Sequence, residues 1–254
     1  MKAISKEVAS VSADFLDIGI FSVSEAAALL QVNPQRVRGW AFGYANTKGV
    51  PILKNDFGPI DGRYAVSFAS LIEMDVIRRF ANVGVSVKSM RSMILEARDL
   101  ADSDHPFATD LVLRTDGKKL FAELAQATGD RGLYDLKDKN WAMYDIVFQS
   151  LKSDVVYESG VATHWFPRRT VAPNVVVHPH FAFGEPCLWG HFIPTSTIVE
   201  ALAAENDNIE TVREWYDLEE AEIFEAVRFE QILHRQTAKN SLLTNMCLPA
   251  LSGF

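Results

Sequence analysis

Two sets of side chains in this sequence lie close enough together to do chemistry. The first is a run of histidines. His178, His180 and His191 fall within 14 residues, with His164 upstream and Glu185 and Cys187 between. A His-x-His pair on a strand points both rings to one face, which is how a metal site could begin. Such a site needs a converging carboxylate or thiolate to complete it. The sequence contains no His-Glu-x-x-His, no glycine-rich phosphate loop and no nucleophile elbow around a serine or cysteine. The expectation is a non-enzyme without a cofactor, and a metal-dependent enzyme on the histidines is kept only as a third reading. The second set is Gln35, Arg36 and Arg38. Their long hydrogen-bonding side chains are of the kinds that read base edges and phosphates.

Residues 21–44 supply the elements that position this second set. Ser22 or Ser24 caps a helix whose inner face is Ala26, Ala27, Leu29 and Leu30. Val32 falls in a tight connection. Asn33-Pro34 then starts a second helix, with a capping side chain followed by proline at the first helical position. Val37 and Trp40, three apart, point back into the first helix and leave Gln35, Arg36 and Arg38 facing outward. Two short helices with a tight turn make a helix-turn-helix, whose second helix enters the major groove. A plain helical hairpin of an all-α protein is the alternative. Residues 46–66 are rich in turn formers between short β-compatible stretches. They carry Lys48, Lys54 and Arg63, as a two-stranded wing would. Ser67 caps an apolar helix through Phe80, and residues 84–91 open another that runs to about Ala101.

This order resembles the winged-helix DNA-binding domain of MerR-like regulators. The resemblance lies in Val23-Ser24-Glu25-Ala26-Ala27, in Val32-Asn33-Pro34-Gln35-Arg36-Val37-Arg38-Gly39-Trp40, and in Gly84-Val85-Ser86-Val87. The wing of that family usually ends in Arg-x-Tyr. Here Arg63 and Tyr64 are adjacent, and Val66 holds the expected aromatic position. The resemblance implies operator double-stranded DNA as a partner, met by α-helical Gln35, Arg36 and Arg38 and by Lys48, Lys54, Arg63 and Tyr64 of the wing.

Composition sets the outer bounds. With 254 residues, 48% hydrophobic and 23% charged, the chain can bury one large core or two small ones and is not of the disordered class. No apolar run approaches the roughly 18 residues of a membrane span, and the first seven residues lack a signal-like apolar core. Two cysteines, Cys187 and Cys247, support neither a disulfide framework nor a four-thiolate zinc site. A cytoplasmic protein of a reducing compartment is expected. The net charge of −8 is unevenly spread: residues 20–100 hold 10 Lys/Arg against 7 Asp/Glu, and residues 101–254 hold 13 against 23. One end is therefore the better match for a polyanion.

Beyond residue 101 the pattern changes. Thr115-Asp116-Gly117-Lys118 reads as a hairpin turn, residues 139–151 as a helix, and Ser159-Gly160 as the turn of a second hairpin. Arg168-Arg169 reads as a solvated loop. Residues 175–178 form a strand, residues 183–190 turn back, and three helices follow over 196–205, 208–216 and about 219–235. The segment Gly184-x-Pro186-x-x-x-Gly190-x-x-Ile193-Pro194-Thr195 with its three helices resembles the C-terminal domain of VapB-type antitoxins. His191-Phe192 stands where that family often has Thr-Arg. A MerR-like winged helix, a connector and this domain form the layout of one branch of that family.

The resemblance implies the antitoxin of a type II pair. Such a protein is an operator-binding autorepressor, a homodimer, and a neutraliser of a PIN-type ribonuclease toxin. Residues 200–230 carry 11 Asp/Glu against Arg213 and Arg228, which would repel phosphates and suits a protein contact instead. Dimerisation is expected there, through Trp215, Tyr216, Phe224 and Phe229. After Glu230 the only charged residues are Arg235 and Lys239, followed by Leu242, Leu243, Met246, Leu248 and Leu251. That stretch reads as a toxin-binding arm suited to an acidic pocket; a terminus packed on its own domain is the alternative. The expected fold is α+β and mainly helical: a winged helix-turn-helix over 20–101, an α+β connector over 102–172, a strand pair with three helices over 173–237, and a tail over 238–254. The rival reading of function is a MerR-like effector-responsive regulator without a toxin partner.

Overall fold

The computed structural model describes residues 19–43, 50–57, 62–109 and 141–246, and Gln126 besides. Strand β1 (Ile20–Ser22) passes directly into helix α1 (Val23–Leu30). Ser22 makes the junction: its Oγ accepts from the Glu25 N–H, and the Glu25 carboxylate accepts from the Ser22 N–H at 2.7 Å. This reciprocal cap satisfies two backbone donors that the helix start would leave orphaned. Gln31 turns the chain in the left-handed region (φ 54°). Helix α2 (Pro34–Phe42) then starts on Asn33, whose Oδ1 accepts from the Gln35 N–H at 2.8 Å. Val37 and Trp40 of α2 and Ala26, Ala27 and Leu30 of α1 are buried together.

Strand β2 (Ala65–Ser67) pairs antiparallel with β1, Phe21 opposite Val66. The edge expected of the wing thus closes on the strand that precedes the helix-turn-helix, and residues 50–57 contain no strand. Ser67 caps α3 (Phe68–Asn82) and Ser86 caps α4 (Val87–Ala101). Helix α3 is the spine of this half, burying Leu71, Ile72, Met74, Val76, Ile77 and Phe80. It also buries Asp75. Burial works to raise that carboxyl's pKa, but Arg78 and Arg79 beside it hold it below the ordinary range. Arg79 reaches on to Asp154 at 2.7 Å, which closes α3 onto the next helix, α5 (Trp141–Asp154).

Strands β3 (Val155–Glu158) and β4 (Val161–Trp165) form a hairpin turning at Ser159 and Gly160, both at positive φ. The earlier hairpin turn expected at residues 115–118 lies outside the described residues. Trp165 and Val177 exchange backbone hydrogen bonds of 3.0 and 2.8 Å, which carries the ladder on to β5 (Val175–Val176) and its partner β6 (Cys187–Leu188). Helices α6 (Thr195–Ala204), α7 (Ile209–Tyr216) and α8 (Glu220–Met246) follow. Ile198, Val212, Ile223, Ala226 and Phe229 supply their inner faces. The helix expected to end near Arg235 runs on to Met246, because residues 236–246 contain no glycine or proline to stop it. The fold is α+β and mainly helical. Its main hydrophobic core runs from Phe21 to Phe229, and α8 packs on α1. Among the described residues, no helix is long and apolar enough to cross a membrane.

Candidate nucleic-acid interface

Helix α2 has two unlike sides. Val37 and Trp40 are 0% and 2% exposed, whereas Gln35, Arg36 and Arg38 face solvent. The guanidinium carbon of Arg38 lies 4.9 Å from the centre of the Tyr64 ring, and Tyr64 packs on Phe42 with ring centres 4.5 Å apart. An arginine resting on an aromatic face keeps its charge at the surface while losing some of its freedom, so less order remains to be imposed on binding. Arg63, next in the chain, is also exposed. The fold thus gathers Arg38, Tyr64 and Arg63 from two segments beside Gln35 and Arg36.

The other wing cations are placed differently. Lys54 is ion-paired with Asp104, both groups more than half exposed, so its charge is already answered within the chain. Lys48 lies outside the described residues. Below the 50–57 segment sits a polar clasp that local spacing does not show. His105 Nε2 lies 2.7 Å from Asp56 Oδ1, and its Nδ1 lies 3.2 Å from Glu73 Oε2. The Ser67 hydroxyl also donates to Asp56. Burial alone would lower the pKa of His105, but hydrogen bonds to Asp56 and Glu73 push it up to about 9. Burial likewise presses on Asp56, where the His105 and Ser67 hydrogen bonds prevail and lower its pKa. A charged imidazole therefore fastens the segment beside α2 to α3.

Arg168 is not in a solvated loop. Its Nη2 donates to the Leu29 carbonyl at 2.7 Å, closing a backbone acceptor at the end of α1. Burial pulls its pKa down to about 10, with the Arg78 charge adding to the effect. Its neighbour Arg169 does stay at the surface, 4.3 Å over the Phe166 ring. The helix-turn-helix is therefore fastened to the C-terminal half by a bond spanning 139 residues of sequence.

The histidines come together as aromatic packing. The His178 ring lies 4.5 Å from His164 and 5.3 Å from His180; His164 contacts Trp189, and Phe181 stacks on Phe192 at 3.9 Å. His178 Nδ1 already accepts the His180 backbone N–H at 3.1 Å. Burial, helped by the charges of His164 and His180, lowers the pKa of His178 to about 4, and burial lowers that of His164 as well. His191 lies apart, 3.2 Å from Glu222. Among the described residues, no three His, Cys, Asp or Glu groups converge as metal ligands. Burial pushes the Cys187 thiol up to about 11, where it is a protonated, inert side chain at neutral pH.

Of the residues expected to meet a second copy, Trp215 and Phe224 are 58% and 44% exposed, and Tyr216 is half-buried. Phe229 is fully buried in the core of its own chain. It supports the fold and cannot touch a partner. Arg235 is exposed on α8. Lys239, Leu242, Leu243 and Met246 belong to the last turns of that helix, and Leu248 and Leu251 lie outside the described residues.

The segment from β5 into α8 holds the turn glycines Gly184 and Gly190, both at φ 91°. Residues 175–229 match the family described as "Protein of unknown function (DUF433)". No curated protein matches the chain. Among solved structures, the crystal structure of Rv2018 from Mycobacterium tuberculosis aligns with a TM-score of 0.66 at 19% identity. The alignment covers 82% of this chain and 96% of that one. At that identity the likeness is one of fold.

Proposed function

We propose that the chain is the antitoxin of a type II toxin–antitoxin pair, which binds operator DNA as an autorepressor and neutralises a PIN-type ribonuclease. The observation that carries the DNA half is the two-sided α2: Gln35, Arg36 and Arg38 exposed, Val37 and Trp40 buried, and Arg38 resting on Tyr64. Arginine reads guanine and glutamine reads adenine in the major groove. A homodimer suits this reading, since such readers pair to span two half-sites, and Trp215 and Phe224 are exposed large apolar groups on the acidic half.

The toxin half of the proposal rests on the end of α8. Arg235, Lys239, Leu242, Leu243 and Met246 recur at i, i+4, i+7, i+8 and i+11, the spacing of one helical stripe. A basic and apolar stripe is the complement of an acidic groove. The test is co-purification with the product of the adjacent gene, followed by a ribonuclease assay. The full chain should inhibit that nuclease, and a chain ending at residue 235 should not, while both bind promoter DNA alike. Equal inhibition by the shortened chain would place the neutralising surface elsewhere. One observation favours the second reading, an effector-responsive regulator without a toxin partner: a cavity of about 370 Å³ lies between α1 and α8.

A further inference from the structure

The cavity between α1 and α8 has walls of two kinds. Phe21, Ala28, Leu29 and Leu233 make it apolar, while Glu25, Glu185 and Glu230 bring three carboxylates to it. Among the described residues no lysine or arginine lines it; His234 does, its Nε2 3.9 Å from Glu230 Oε2. The carboxylates are held in place. Glu25 is locked by its capping bond to the Ser22 N–H. Glu230, 9% exposed, accepts from the Thr195 hydroxyl. Glu185 lies within 3.4 Å of the Ser196 hydroxyl. At the rim, Phe183 is 71% exposed and sits in the left-handed region at φ 55°. Beside it, Gly184 at φ 91° has no Cβ; such an atom would stand 2.7 Å from the Phe21 ring. An exposed aromatic ring leaves apolar area that a covering ligand would bury.

We infer that this cavity binds a small organic cation with an apolar body. An anion meets three carboxylates and is repelled. A neutral apolar guest strips water from the carboxylates without answering their charge. A cation with an apolar frame satisfies both walls and can take the Phe183 face as well. The volume, about 370 Å³, lies at the small end of the usual range for ligand pockets. The site also has a consequence for the reading proposed above, on which this part rests. One wall belongs to α1, which supports the DNA-facing α2, and the other to α8. A ligand bridging them shifts DNA affinity to the extent that it binds the DNA-bound and free forms of the chain unequally.

Calorimetric titration of the full chain with benzyltrimethylammonium, and separately with benzenesulfonate, tests the inference. The cation should bind saturably at one site per chain, and the anion should not. Glu185→Gln and Glu25→Gln should each weaken the cation by about tenfold, a change of ~1.4 kcal/mol. Glutamine at position 25 keeps the capping box, so loss of binding there cannot be blamed on the helix. Equal binding of cation and anion, unchanged affinity in both variants, or no saturable heat overturns the inference. No DNA is needed for these readouts. A chain that binds the cation but no duplex refutes the DNA reading alone, and one that binds duplex but no cation refutes this site alone.

Discussion

Replacing His105 by glutamine should remove a pH dependence of stability that the clasp builds into the fold. His105 stands between Asp56 and Glu73 with a side chain only 14% exposed, and its pKa is pushed from 6.5 to about 9. At ~1.4 kcal/mol per pH unit that difference is worth about 3 kcal/mol. Burial also raises the pKa of Glu73, despite the His105 hydrogen bond. The sign for His105 follows from the folded value lying above the unfolded one. The contribution is complete below pH 6.5 and disappears as pH rises through about 9. Urea unfolding of the wild type and of His105→Gln, followed by tryptophan fluorescence across that window, measures it. Cys187 also favours the unfolded chain at high pH, because burial holds its thiol near 11, but it is common to both proteins and cancels in their difference. The wild type should lose its excess stability over the variant as pH climbs. Parallel curves of equal slope would refute the clasp.

Other perturbations separate the site from its scaffold. Tyr64→Leu withdraws the ring beneath Arg38 and should weaken promoter binding by about 0.5–1 kcal/mol, read by fluorescence anisotropy, with little change in unfolding midpoint. Gly184→Ala drives a Cβ to 2.7 Å from the Phe21 ring at φ 91°. Strain and overpacking together should cost about 2–4 kcal/mol in chemical denaturation. Asp75→Asn leaves Arg78 and Arg79 facing a neutral group in a buried position and should cost about 3–5 kcal/mol; wild-type stability in that variant would show the triad to be idle.

What was legible in the sequence was local. Ser22, one of two candidate caps, and Asn33 with Pro34 announce helix starts because a cap lies within three residues of the N–H it accepts from. The same is true of the Ser67 cap and of the Ser159-Gly160 turn. The outward set on α2 followed from the three-residue spacing of Val37 and Trp40. What was not legible depended on distance along the chain. Arg168 meets Leu29 across 139 residues and His105 meets Asp56 across 49, and no periodicity reports such a contact. Phe229 looked like an interface residue because it shares an apolar stripe with residues at the surface; only the packing of α8 on β5 and α6 decides which side is inner. The end of α8 lies well past the expected Arg235, at Met246. A helix stops at a residue that breaks it, and none occurs before Met246.

The most direct measurement of whether α2 reads DNA is an anisotropy titration of the wild type and Arg36→Ala. Each is titrated against the duplex upstream of the gene and a scrambled duplex of equal composition, at several salt concentrations. Arg36 is exposed on α2 beside the buried Val37. Its loss should cost about 1–3 kcal/mol on the upstream duplex and far less on the scrambled one. The preference should shrink while the salt dependence, set by phosphate contacts, stays close to that of the wild type. An Arg36→Ala protein that keeps the full preference would contradict the assignment of this helix as the reader.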